Sequence, residues 1–127
     1  MEKEIIQTII ESYIDAYNKF DVAGMLKSLH PDVEFKNITG GNVDLSLTGL
    51  KEFGDQANSA LQYFIERKQT ISGLNISDHT AEVSVDYQAI LAIDLPNGLK
   101  AGESIQMKGQ SVFIFEDNLI LSITDIS

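Results

Sequence analysis

The sequence predicts an α+β domain in which a strongly curved antiparallel sheet wraps around N-terminal helices and leaves an apolar pocket. Three observations predict it. Apolar residues recur at helical spacing near the start of the chain. Later they alternate with polar residues at the strand period. Helical and strand-like stretches are segregated, which is the α+β pattern.

The first element is an amphipathic helix of about four to five turns. Ile5, Ile6, Ile9, Ile10, Tyr13, Ile14 and Tyr17 form its apolar stripe. Lys3, Glu4, Gln7, Glu11, Asp15 and Asn18 form the opposite side. Asp21 is placed to cap a second, shorter helix carrying Met25, Leu26 and Leu29. Pro31 should stop that helix near His30. Val33, Phe35 and Asn37 then share one strand face, and Gly40-Gly41 turns the chain. Val43, Leu45 and Leu47 share a face of the next strand. Thr48 is a plausible cap for a third helix, whose buried stripe runs through Leu50, Phe53, Ala57, Ala60, Leu61 and Phe64.

The second half reads as a meander. A strand runs from about Glu66 to Ser77, and its apolar parity slips between Ile71 and Leu74. Gly73 at the slip predicts a bulge. After a turn at residues 77–80, Val83, Val85, Tyr87, Ala89, Leu91 and Ile93 alternate along a long strand. Ile105, Met107, Ser111, Phe113 and Phe115 follow on the next, and Leu119, Leu121, Ile123 and Asp125 on the last.

Residues 1–127 suit one domain with one core. A content of 43% hydrophobic and 22% charged residues is globular composition and argues against disorder. The chain has no cysteine, which excludes a disulfide scaffold, a thiolate zinc site and a cysteine nucleophile. The two histidines, His30 and His79, are too far apart in the chain to suggest a transition-metal site, and no cofactor or metal is expected. A formal net charge of −10 argues against nucleic acid or an anionic membrane surface as partner. The start, Met1-Glu2-Lys3-Glu4, does not read as a secretory signal, and the expected location is the cytoplasm.

Polar residues on apolar faces carry the functional reading. Burying one costs about 1–3 kcal/mol unless it finds a partner. Asn37 ends the first strand on the face of Val33 and Phe35, and Asp125 ends the last on the face of Leu121 and Ile123. Ser111 sits between Met107 and Phe113, and Tyr13 lies in the first helix's stripe. Asp125, Asn37 and Tyr13 are the candidate catalytic residues. Tyr17, Phe35, Phe53, Ser111, Phe113 and Ile123 are candidate substrate-binding residues on the same faces. Asp86 is one residue off the apolar parity and is expected to face outward.

The stretch from Tyr17 through Met25-Leu26 to Phe35, the segment Leu47-Thr48-Gly49-Leu50-Lys51-Glu52-Phe53 and the run Gly109–Ile120 resemble the nuclear transport factor 2-like and SnoaL-like superfamily. Its cone-shaped fold is shared by ketosteroid isomerase, limonene-epoxide hydrolase and polyketide cyclases. The resemblance implies a cone with a pocket over the whole chain. Against ketosteroid isomerase, Tyr13 matches the oxyanion-hole tyrosine. Asn37 stands where that enzyme has its aspartate base, and Ser111 where it keeps a protonated aspartate, so steroid-type isomerisation is not expected. Against limonene-epoxide hydrolase, Asn37 matches an asparagine that holds the attacking water, and Asp125 matches the aspartate that activates it. Phe35 replaces a water-holding tyrosine. That enzyme's arginine and second aspartate would fall near Ser84 and Asp86, where no arginine is found.

Two functional classes stay open. One is an enzyme acting on a small apolar molecule: an isomerase, cyclase or hydrolase with Asp125 as base. Its apolar neighbours would raise the Asp125 pKa, Asn37 would orient a water or carbonyl, and Tyr13 would donate to developing negative charge. The other is a non-catalytic ligand-binding or assembly module of the same fold. In either class, Ile90, Ala92, Val112, Ile114, Ile120 and Ile126 on the outward parity are expected to form a homodimer interface on the outer sheet face.

Overall fold

Helix α1 (Lys3–Asn18) turns Ile6, Ile10, Tyr13, Ile14 and Ala16 into the core of a computed structural model that describes residues 1–127. Burying each large aliphatic side chain is worth roughly 1.5–3 kcal/mol, and this stripe holds the helix against the sheet. The helix ends in a Schellman motif: Asp21 N–H donates to Ala16 O at 2.9 Å and Phe20 N–H to Tyr17 O at 3.2 Å. Phe20, not glycine, takes the left-handed position, at φ 62°. The next helix, α2 (Val22–Lys27), is capped as expected, with Asp21 accepting from Gly24 N–H at 2.9 Å.

That second helix stops earlier than the proline suggests. Strand β1 (Leu29–Thr39) already contains His30 and Pro31, so Leu29 enters the core from a strand, not a helix. Strand β2 (Asn42–Thr48) and helix α3 (Gly49–Ala60) follow. The Thr48 side chain caps nothing; instead its backbone N–H donates to the Glu52 carboxylate at 2.9 Å. Of the predicted α3 stripe only Phe53 is fully buried, and a single 3-10 turn (Leu61–Tyr63) carries Leu61 out of the helix. Strands β3 (Phe64–Ser77), β4 (Thr80–Leu91), β5 (Ser104–Glu116) and β6 (Leu119–Ile126) complete the chain. The bulge foreseen at Gly73 is present. No helix is long and apolar enough to cross a membrane.

The six strands form one sheet in the order β2-β1-β6-β5-β4-β3. Four pairings are antiparallel, as expected; β1 and β6 pair parallel. The sheet is therefore mixed. Register shifts also reassign single side chains. The shift between Ile114 and Phe115 in the β5–β6 pairing, together with one between Leu29 and Glu34 against β6, turns Ile120 inward, where it is fully buried. Ile120 therefore cannot belong to an outer-face patch. A shift at Asn37/Ile38 leaves Val43 exposed rather than on an inner face. Asp86 faces outward as read from parity.

One polar clasp ties α1 to β3. The Asn18 side chain donates to Gln69 O at 3.1 Å and accepts from Gln69 N–H at 2.8 Å. Losing both bonds leaves a half-buried backbone unit unpaired. Asn18→Ala is therefore expected to destabilise the fold by about 2 kcal/mol, read as a lower midpoint in urea at unchanged slope.

Candidate functional site

Asn37 and Asp125 are direct neighbours across the parallel β1–β6 pair, and Asp125 and Ser111 are direct neighbours across β5–β6. Adjacent strands stand about 4.8 Å apart, and residues in register project to the same face. All three side chains meet at the end of a cavity of about 360 Å³, a size suited to a small molecule. Tyr17, Gln69, Val85, Tyr87 and Met107 also line it. The lining mixes apolar surface with hydroxyls, amides and the Asp125 carboxylate, and so is less uniformly apolar than expected.

The polar groups hold one another in defined orientations. Ser111 Oγ donates to Asp125 Oδ1 at 2.6 Å. Asn37 Nδ2 donates to Asp44 Oδ1 at 3.0 Å, and Thr39 donates to the other Asp44 oxygen at 2.9 Å. A carboxylate only accepts, so Asp44 fixes which way the Asn37 amide points. The hydroxyls of Tyr17 and Tyr87 lie 3.0 Å apart, in hydrogen-bond contact.

Burial pushes the Asp125 carboxyl above its ordinary value of 3.8, and the Ser111 hydrogen bond partly offsets this. The Tyr13 hydroxyl is pushed well up, first by burial and then by the nearby Asp125 charge; Arg67 pulls the other way. Burial also raises Tyr17 and Tyr87. All three phenols therefore stay protonated at neutral pH and can act only as neutral hydrogen-bond partners.

The candidate residues from the sequence divide between the cavity and its base. Asp125, Asn37, Ser111 and Tyr17 line the cavity. Tyr13 is buried, packed edge-on against Phe113 at 6.1 Å and tilted against Phe53 at 6.5 Å. Phe53, Phe113 and Ile123 belong to the packed core, Phe35 is half-buried against it, and none of the four lines the cavity.

Four residues of this region were not singled out as site candidates from sequence: Tyr87, Gln69, Asp44 and Arg67. Tyr87 was visible on the inward parity of β4. Arg67 is the chain's only arginine and shares parity with Gln69 and Ile71, which was a readable signal of burial. Asp44 depends on the β1–β2 bulge and left no mark in the sequence.

One cluster has the composition of a metal site: ligand atoms of His30, Glu116 and Asp117 lie within 4.8 Å of one another. His30 Nδ1 accepts from Asp32 N–H at 3.0 Å, so Nε2 carries the proton and faces Glu116 at 3.4 Å. A histidine–carboxylate contact accounts for that arrangement.

Comparison with known proteins agrees with this architecture. The SnoaL-like domain family matches residues 10–123. No curated protein sequence matches the chain. A proposed polyketide cyclase from Xanthomonas campestris pv. campestris has a similar structure, with TM-score 0.84, 16% identity, 98% of this chain covered and 91% of that one. IdmH, a proposed polyketide cyclase of Streptomyces antibioticus, gives TM-score 0.79 at 11% identity over 94% of this chain and 89% of that one. An LEH-like epoxide hydrolase of M. tuberculosis gives 0.75 at 13% identity over 94% and 79%. At these identities the solved structures establish the fold, and the family match extends over most of the sequence. The chain belongs to the SnoaL-like domain family, on the nuclear transport factor 2-like fold.

Proposed function

We propose that the protein binds a small apolar molecule in the cavity and that Asp125 acts there as a general base on a water. The observation that carries this reading is the row Asn37–Asp125–Ser111, brought into register at the cavity end. Ser111 occupies Asp125 Oδ1, which leaves Oδ2 as the free basic oxygen. Asp44 holds the Asn37 amide nitrogen, which leaves its oxygen as an acceptor. Two neighbouring acceptors suit a water, which has two hydrogens to donate. Attack by that water on an electrophilic carbon would pass its proton to Asp125. As the carbon–oxygen bond breaks, the released oxygen would accept a hydrogen bond from the Tyr17–Tyr87 pair and take its proton from solvent, while Asp125 returns its proton to solvent, so the balance is one water added.

Water addition to a small apolar epoxide is the simplest reaction of this kind. It can be followed as incorporation of heavy oxygen from labelled water into the diol of cyclohexene oxide. Asp125→Asn is expected to lower the rate about 10²–10⁴-fold, the usual share of a general base. Deuterium exchange beside the carbonyl of cyclohexanone, without epoxide opening, would instead favour proton abstraction. Unchanged turnover in Asp125→Asn would remove the base.

The pH dependence has a defined sign. A base is active when deprotonated, so the rate should rise with pH through an inflection above 3.8 and then level off. Ser111 stabilises the ionised carboxylate, so Ser111→Ala should move the inflection to higher pH. NMR titration of the Asp125 side-chain carbon in the free protein measures the same shift without a substrate. An inflection at or below 3.8 would contradict the assignment.

Pairing of two copies through the outer sheet face is a second proposal, compatible with either a catalytic or a binding role. Ile114 and Ile126 are exposed there, and Ile90 and Val112 are half-buried. The register sets Glu82 and Thr124 beside Val112, and Thr80 and Ser122 beside Ile114, so the interface would be mixed rather than purely apolar. Light scattering should give twice the chain mass, and Ile114→Glu should restore the single-chain mass.

A further inference from the structure

We propose that the open groove beside the C-terminal end of α1 is a second binding site, taking a small monocarboxylate with Arg67 as its receptor. The proposal does not depend on Asp125. The groove measures about 740 Å³ and is larger than the cavity at Asp125. Arg67 lies in its wall, one same-face step along β3 beyond Gln69.

Arg67 is only 5% exposed and forms no ion pair, although the chain carries 19 acidic residues. Its Nε donates to Tyr17 O at 2.8 Å. The guanidinium carbon lies 3.7 Å from the centre of the Tyr17 ring and 4.7 Å from that of Phe20. The Nη2 group is buried and has no hydrogen-bond partner. Aromatic faces offset part of the cost of burying the charge but supply no acceptor. Buried charges are normally paired, and a buried donor without an acceptor is the rarer case.

The groove's surroundings favour one negative charge. Lys19 and Lys68 add to Arg67, against Asp15 and Glu66, and Asp15 is already bound to Lys19 at 2.9 Å. A local excess of cations in a chain of net charge −10 suits a monoanion better than a dianion such as phosphate. The planar guanidinium matches a carboxylate's two oxygens. Phe20 lines the groove and its ring lies 4.7 Å from the guanidinium carbon; its backbone is held at φ 62°, a conformation a bulky side chain rarely adopts. On this proposal its ring swings aside for a carboxylate to reach Nη2.

A single arginine gives a single side-chain Nε–H resonance, which makes the test direct. In the ¹⁵N-labelled full chain, sodium benzoate at constant ionic strength should shift that resonance saturably, with half-saturation on the order of 1 mM. Benzamide, its neutral counterpart, should not. Phe20→Gly removes the ring and suits the left-handed position, and should tighten benzoate binding about fivefold because no ring has to be displaced. A linear drift with benzoate, an equal shift with benzamide, or no gain in Phe20→Gly would overturn the proposal. Saturation by inorganic phosphate at lower concentration than benzoate would overturn the monocarboxylate assignment.

Discussion

The parallel pairing of β1 with β6 is the constraint on which the candidate site depends. It joins a strand near the start of the chain to the last one and sets Asn37 directly beside Asp125. Because side chains alternate between faces, a slip of one residue in β6 would aim Asp125 away from the cavity and break its contact with Ser111. The apolar residues of the same rows prevent that slip. Phe35, Ile123 and Phe113 lie in register one same-face step along, and both Ile123 and Phe113 are almost fully buried. Core packing thus fixes the register, and the register places the polar row.

The concave face follows a consistent pattern of partial satisfaction. Asp125 has one oxygen bound by Ser111, Asn37 has its nitrogen bound by Asp44, and Arg67 has Nε bound by a backbone carbonyl. Each group is fixed in direction by one internal partner and keeps further hydrogen-bonding capacity. A fully satisfied network would add to stability and leave nothing for a ligand to bind. Burial also raises the Asp125 carboxyl, because desolvation disfavours its charged form.

Local chemistry in the sequence was legible where one strand or helix decides the outcome. Most of the α1 stripe (Ile5, at its first turn, is exposed), the Asp21 cap, the bulge at Gly73 and the outward aspect of Asp86 follow from spacing within one element. Readings that needed two elements at once were less secure. Ile120 looks outward by counting along β6 alone, but register shifts on both flanks turn it inward. Leu29 looks like the end of a helix stripe until β6 pairs with it through Ile120. Arg67 drew no reading of its own from the sequence, although its parity with Ile71 points inward.

The sequence by itself determined the alternation that puts Asn37, Ser111 and Asp125 on inward faces, because a strand's period of two is a property of its own backbone. Tertiary structure alone decided that these faces meet, that β1 and β6 run parallel, and that a bulge brings Asp44 to the Asn37 amide. It also decided that the one arginine lies against two aromatic rings. Those outcomes depend on register between segments distant along the chain, and register is settled by how the whole core packs.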